Sequence, residues 1–415
     1  MNQIKIEDIH VENNTRAVYT YSVGGEWKNC YSAQRTAFIE YYEDISGVPL
    51  SVLAVPFICN VIPAVWVCNA KFIAGIADSD FLDHLNEIKD GYKKMYPSLG
   101  FNGELIVESV QNSKKPGGGN ASLFSGGVDA HTTLLRHLEE KPALITIWGS
   151  DIKIEDIDGW NEASSQIKHT AEQYRLAFHQ IKSDFRNVLI EYQMDKHITS
   201  SGDNWWHGFQ HGIAVIAHAA PLAYIHGWDT VYIASSFSPE AKGNYTCASD
   251  PSIDNHLHYC GCNTIHDGFE LHRQQKVGYL VKQCNETGIP IHLRVCWESG
   301  GGKNCSMCEK CCRTILSLIA EGADPNDYGF IWNSELAEKC RYYMNTRFMI
   351  IEYLYYPIQK RFIENKGTIK NIEEYQWFID LDIDSVNNMP AKRFRRSKAG
   401  ELINKVNRKL KNLNE

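Results

Sequence analysis

Two clusters in this 415-residue chain combine residue types and spacings that could do chemistry. The first is Leu123-Phe124-Ser125-Gly126-Gly127-Val128-Asp129-Ala130, where a short apolar strand runs through small residues into a helix. Glycines let backbone N–H groups approach a phosphate with no Cβ in the way, and a helix N-terminus adds unpaired donors and partial positive charge. Ser125 offers a hydroxyl to the same oxyanions. Asp129 would repel phosphate, so its expected part is to hold Mg²⁺ or the turn itself. The GxxxxGK[ST] spacing of a Walker A loop is absent, and a ligand-free strand-to-helix turn would use the same residues. The second cluster is Cys296, Cys305, Cys308 and Cys311, with eight residues between the first pair and two between each later pair. Four thiolates close a tetrahedral zinc site at ~2.3 Å per Zn–S bond and leave no open position for water, which makes such a metal structural. An iron–sulfur cluster and plain buried thiols are the competing uses. Cys312, adjacent to Cys311, points elsewhere.

Two further stretches carry weaker signals. In Asp203–His211 (DNWWHGFQH), Trp206 could stack on a flat heterocycle and His207 could bond a ring edge, or the stretch could cap a helix packed on the sheet. The loop Tyr245–His266 holds Cys247, His256, His258, Cys260, Cys262 and His266, but CxC with scattered histidines has no familiar metal spacing.

SGGVDA resembles the SGGxDS signature of PP-loop ATP pyrophosphatases, which cleave ATP to AMP and pyrophosphate while adenylating a substrate oxygen. The resemblance makes Ser125, Gly126, Gly127 and Asp129 the ATP-binding residues, with Asp129 also catalytic. Ala130 departs from it and removes one phosphate donor. An SGGxD loop followed downstream by C-x8-C-x2-C-x2-C is similar to the 7-cyano-7-deazaguanine synthase family of the queuosine pathway, over Ala121 to Thr314. That similarity implies adenylation of the carboxylate of 7-carboxy-7-deazaguanine, or a similar acid. Amine attack then gives an amide or nitrile, so ATP, Mg²⁺ and Zn²⁺ are the expected cofactors. It also places Ala234–Glu240 where the family meets its substrate, making Ser236 and Glu240, with Trp206 and His207, the substrate candidates. Glu270–Lys276 lies where the family has a Lys-containing TKxEI helix start; here Arg273 stands near the expected Lys and Gln275 near the expected Glu. Arg273, Lys276 and Arg313 are the candidates for neutralising charge on leaving pyrophosphate. With long segments on both sides of this core, the chain resembles the enlarged relatives in bacterial anti-phage defence operons, whose acceptor could be a protein or nucleic acid instead of ammonia. A tRNA-modifying PP-loop enzyme and a non-catalytic zinc-containing scaffold that binds nucleic acid or a partner remain alternatives.

The elements that must position these residues read as follows. Strands at Ala121–Phe124, Ala143–Trp148, Asn187–Glu191 and Val231–Ser235 alternate with helices at His131–Glu140 and Gly208–Gly227. This argues for an α/β, doubly wound parallel sheet. Residues 1–112 read as a β-rich accessory domain with one helix, Phe81–Tyr96, whose Leu82, Leu85, Ile88, Tyr92 and Met95 share a face. The boundary falls in Gln111–Asn120 (QNSKKPGGGN). The core is 113–314 with its zinc knuckle at 296–312. A helical extension, 315–415, follows, with helices at Arg313–Glu321, Ser334–Tyr343 and Arg347–Glu364. Ser51–Ala70 carries no charge, but Pro56, Asn60, Pro63 and Asn69 interrupt it, so it reads as buried strands and not as a membrane span.

With 43% hydrophobic and 22% charged residues, the composition is that of an ordinary soluble enzyme. The net charge of −8 argues against indiscriminate coating of nucleic acid. Residues 391–415 hold nine Lys/Arg and two Glu, a net +7 against −15 for the rest, and read as a solvated amphipathic helix or a phosphate-touching tail. The N-terminus has no apolar run, and thirteen cysteines without a secretory signal point to metal or free thiols, so a cytoplasmic location is expected. A deazapurine-type small molecule is the expected partner, and a homodimer is compatible with this reading.

Overall fold

The structure is a computed structural model that describes residues 2–115, 117–241, 245–296, 298, 302–388 and 392; the basic tail, Lys392 apart, lies outside the described residues. The chain divides into two compact units, Met1–Leu271 with Gly300–Gly302, and His272–Ser299 with Lys303–Glu415.

The first unit is α/β. Its strands are β1 (Gln3–Glu12), β2 (Arg16–Gly24), β3 (Thr36–Tyr41), β4 (Lys71–Asp78), β5 (Glu104–Gln111), β6 (Gly119–Leu123), β7 (Ala143–Trp148), β8 (Phe178–Ser183), β9 (Trp228–Ala234) and β10 (Asn263–Asp267). They form one ten-stranded sheet in the order β10-β9-β6-β7-β8-β3-β2-β1-β4-β5. The half β8-β7-β6-β9-β10 is parallel throughout, and its order reverses at β6. β3 joins β8 antiparallel with Ile39 opposite Ser183, and β2 and β1 continue antiparallel before β4 and β5 add in parallel. The sheet is therefore mixed, and it runs unbroken across residue 112. β7, ALITIW, is buried along its whole length, as expected of a strand covered on both faces.

Helices of this unit are α1 (Leu50–Val67), α2 (Ser79–Asp83), α3 (Leu85–Met95), α4 (Val128–Arg136), α5 (Ile157–Tyr174), α6 (Glu191–His197), α7 (Ile213–Ala217), α8 (Ala220–His226) and α9 (Pro251–Asp254). α1 corrects the reading of 51–70 as strands. It packs on β4, β1 and β5 and on α7 and α8, so it is apolar all round and shows neither a helical nor a strand period. Pro56 and Pro63 sit inside it, each removing a helix hydrogen bond. The Tyr19 hydroxyl donates to the Leu53 carbonyl (2.8 Å), while buried Asn60 donates to Phe185 O (3.0 Å) and accepts from Gln210 (2.5 Å). Among the described residues α1 alone is long and apolar enough to cross a membrane, and 89% of it is buried inside the fold.

Three other expectations are corrected. The strand after β7 is β8, FHQIKS, whose polar residues mask its period; Val188 and Leu189 of the expected strand are buried in a turn leading to α6. The segment 208–227 is not one helix but a π-turn at Trp206–Gln210 followed by α7 and α8. Gly212 makes the break at φ 93°, and a Cβ there would lie 2.7 Å from Ala248 O. The segment 81–96 is two helices, with Asp78 capping α2 through Phe81 N (3.3 Å).

The second unit is helical: α10 (Arg273–Thr287), α11 (Glu309–Ala320), α12 (Ser334–Thr346) and α13 (Glu352–Glu364), with α11 packed against α10 and α13.

Candidate functional site

The SGGVD turn leaves the carboxyl end of β6 and enters α4. Gly126 adopts φ 78°, a conformation that L side chains avoid, and Gly127 is the N-cap of α4. Ser125 is exposed and Asp129 half-buried in the first helical turn. Behind them, the outer turns of α4 are pinned by the buried Asp267 at the end of β10. It accepts from Thr133 Oγ1 (2.8 Å), Arg136 Nε (3.3 Å) and His137 Nε2 (3.1 Å). These bonds outweigh the cost of burial and hold the Asp267 carboxyl below its ordinary range.

β9 is the parallel neighbour of β6, and its carboxyl end leads into Ser235–Glu240. Ser236 and Glu240 are exposed there. The His207 ring lies 6.0 Å from that of Phe237, which brings the π-turn to the same segment. Trp206 does not present two free faces: the Arg186 guanidinium sits 3.9 Å from its ring centre, and the His211 ring meets it edge-on at 5.2 Å. His207 Nδ1 is committed to Asp203, at 3.1 and 3.3 Å from the two carboxylate oxygens.

Arg273, Lys276 and Arg313 all lie in the second unit. Arg273 opens α10, Lys276 is buried, and Arg313 is buried with its Nε 3.2 Å from Glu309. Gln275 serves as a helix cap: its Oε1 accepts from His272 N (3.0 Å), and His272 Nδ1 accepts from Gln275 N (3.3 Å).

The four cysteines converge as their spacing implies, their sulfurs all within 4.8 Å of one another. The Cys296–Cys308 and Cys305–Cys311 sulfur separations are 3.8 and 3.9 Å. A tetrahedron with ~2.3 Å metal–sulfur bonds has edges of about 3.8 Å, so the set can hold a metal such as zinc. Backbone N–H groups of Cys308 (3.2 Å) and Met307 (3.5 Å) point at Cys305 Sγ, and that of Cys311 (3.4 Å) at Cys308 Sγ, the donors that thiolates need. Ser306, at φ 55°, turns the CxxC. Asn304 ties the knuckle down by accepting from Val295 N (2.9 Å) and donating to Leu293 O (2.7 Å) and Gly329 O (2.9 Å). Cys312 is buried and points away, toward Ser306 O (4.0 Å).

Cys260 and Cys262 are buried, which pushes both thiols up. Two other groups could hold a metal ion and were not read from the sequence: Glu43, His179 and His226, and Asp80, His84 and His258. In the first, both histidines hydrogen-bond to Glu43, outweighing burial and holding its carboxyl at about 2. Glu43, His179 and His226 lie far apart along the chain, and in the second group Asp80 and His84 are one turn apart but His258 is distant, so spacing alone does not bring either set together.

Comparison with protein families, characterised proteins and solved structures yields no match to this chain.

Proposed function

We propose that this chain is a PP-loop-type ATP pyrophosphatase that adenylates a carboxylate and passes the acyl group to an amine, in the manner of the 7-cyano-7-deazaguanine synthases. The observation that carries the reading is where the SGGVD turn sits: at the carboxyl end of β6, where the parallel strand order reverses. In open α/β sheets, ligands lie in the crevice outside the strand carboxyl ends at such a point. The positive φ of Gly126 and the N-terminus of α4 suit a phosphate there.

In this reading Ser125 and the backbone of Gly126 and Gly127 hold the phosphates, and Asp129 holds Mg²⁺. The substrate carboxylate attacks the α-phosphorus, the new P–O bond forms, and the bond to pyrophosphate breaks. An amine nitrogen then displaces AMP from the acyl carbon. The zinc knuckle has a structural part, since four thiolates leave the metal no open position. The segments 1–112 and 315–415 favour a macromolecular amine as acceptor, as in an anti-phage setting.

The test is to incubate the protein with Mg-ATP and 7-carboxy-7-deazaguanine and identify the products by mass spectrometry. AMP and pyrophosphate are expected. ADP and phosphate, or no turnover, would sink the reading.

A further inference from the structure

Three side chains with metal-binding chemistry meet within the first unit, and the adenylation reading gives them no role. Glu43 follows β3, His179 lies in β8 and His226 ends α8. The register of the sheet brings the first two together. Ile39 pairs with Ser183 and Tyr41 with Ile181, so two residues further along these antiparallel strands Glu43 comes opposite His179. In β8, His179 is the partner of Ile145 in β7, and paired residues of neighbouring strands share a face of the sheet. Ile145 packs in the core cluster that includes Leu222 and Ala223 of α8, so His226, at the end of α8, reaches the same face. Glu43 accepts from both imidazoles: Oε1 from His179 Nδ1, and Oε2 from His226 Nε2 (2.7 Å).

One indole holds both rings. The His226 ring stacks on Trp228 (5.1 Å between ring centres, 18° between planes), and the His179 ring meets it edge-on (5.4 Å, 69°). Trp228 is buried and lies over Gly119 of β6, where a Cβ would be 3.1 Å from its Cδ1. One ligand atom from each of the three side chains lies within 4.8 Å of the other two. A metal with ~2.0 Å bonds to nitrogen and oxygen spaces tetrahedral ligands about 3.3 Å apart. Rotation of the Glu43 side chain, which is 26% exposed, opens the 2.7 Å contact to that spacing. The His226 side chain is 32% exposed and that of His179 12%, so water reaches the set from the side of Glu43 and His226. The helix of the phosphate turn packs on the opposite face, where Ala130 and Leu134 of α4 meet Leu144. A metal held by this set is therefore separate from the phosphates of the adenylation reading.

We propose that Glu43, His179 and His226 form a second metal site, for a divalent ion of the zinc class, with three protein ligands and a fourth position open to water. Two neutral imidazoles and one carboxylate suit zinc and its first-row neighbours, whereas Mg²⁺ and Ca²⁺ take oxygen ligands and Cu(I) takes sulfur. On binding, His179 Nδ1 and His226 Nε2 turn lone pairs to the ion, each ring carries its proton on the other nitrogen, and the Glu43 carboxylate becomes a ligand. The open position sets this site apart from the four-thiolate knuckle, which has none. The ion joins the chain between β3 and α1 to the start of β8 and the end of α8. It thus clamps the seam where the antiparallel strands meet the parallel ones. The site stands whether or not the chain adenylates a carboxylate.

The test uses the full chain with Zn²⁺ alone as the probe. Equilibrium dialysis followed by elemental analysis should give two ions per chain. Glu43→Gln and His226→Asn should each weaken one of them at least ~100-fold and leave the other in place. Co²⁺ tells the two sites apart. At the knuckle it gives thiolate-to-metal charge-transfer absorption, which Glu43→Gln should keep and Cys308→Ser should lose, while Cys308→Ser retains the ion at Glu43. Anomalous diffraction at the zinc edge from the unaltered chain needs no variant, and it should place the second ion between the three side chains. A second ion found elsewhere would overturn the proposal, as would two ions retained in both Glu43→Gln and His226→Asn. So would a single ion per unaltered chain that Glu43→Gln does not disturb, which would leave the three residues as a hydrogen-bonded set without a metal.

Discussion

Gly126 stands at φ 78° between an exposed serine and the first turn of α4. An alanine there costs about 1–2 kcal/mol for the left-handed backbone, which a chain of this size tolerates. On the proposed function its Cβ would also crowd the phosphate held at this turn. Gly126→Ala is therefore expected to remain folded and to lose ATP–pyrophosphate exchange at least ~10-fold, while Asp129→Ala, at a position any residue can adopt, loses it ~100-fold. Unchanged exchange in both would detach the turn from the chemistry. These residues were legible because their types are unusual together: two glycines, a hydroxyl and a carboxylate between a strand and a helix. The cysteine knuckle was legible for the same reason, since spacing alone fixes which sulfurs can meet. The set of Glu43, His179 and His226 was not. Its members come from three separate segments, and nothing beside any one of them in the sequence points to the other two.

At the scale of elements, His218 shows how the break between α7 and α8 is tied to the sheet. It is fully buried; its Nδ1 donates to Ala214 O (2.6 Å), leaving Nε2 to accept from Ser183 Oγ (2.9 Å) at the end of β8. Burial lowers its pKa to about 4, against 6.5 in an open chain. The unfolded state then binds the extra proton first, so the stability His218 confers is complete above pH 6.5 and is lost as pH falls toward 4. The neighbouring Asp184 acts in the opposite sense. Burial raises it to about 6, so its contribution is present at low pH and fades as pH rises from 3.8 to 6. Comparison with a variant cancels the Asp184 effect. The stability difference between the unaltered chain and His218→Gln, from urea unfolding, should shrink by on the order of 3 kcal/mol between pH 7 and pH 4. A constant difference would show that His218 titrates normally. β7 and β9 were readable as apolar runs of strand length, whereas α1 and β8 failed for opposite reasons. α1 is covered on every side and so has no polar face to mark its period; β8 places His179, Gln180 and Lys182 in a strand whose neighbours supply the burial.

At the scale of the whole molecule, the two compact units rest on different kinds of cohesion. The first has a ten-stranded sheet and a continuous apolar core that includes α1. The second is a set of helices whose knuckle carries Cys296, Cys305, Cys308 and Cys311, all within that unit. Here the segment after α10, the start of α11 and residues 329–331 are held together by Asn304 and by Ser306, whose Oγ accepts from Ile331 N (2.9 Å). These are local hydrogen bonds around the cysteines, in segments whose Leu293, Val295, Tyr328 and Phe330 are buried. Metal bound by four thiolates of the folded state adds its binding free energy to folding, so its removal should act on this unit first. The expectation is tested by hydrogen exchange with mass spectrometry, in reducing buffer, with zinc or with a chelator. Amides of α10 and α11 should exchange at least ~10-fold faster after chelation, about 1.4 kcal/mol of local stability, while those of β6, β7 and β9 keep their protection. Cys308→Ser should reproduce the pattern without chelator, because three sulfurs cannot complete the tetrahedron. Equal acceleration across both units would mean that they unfold as one. No acceleration anywhere would mean that the four sulfurs hold no structural metal.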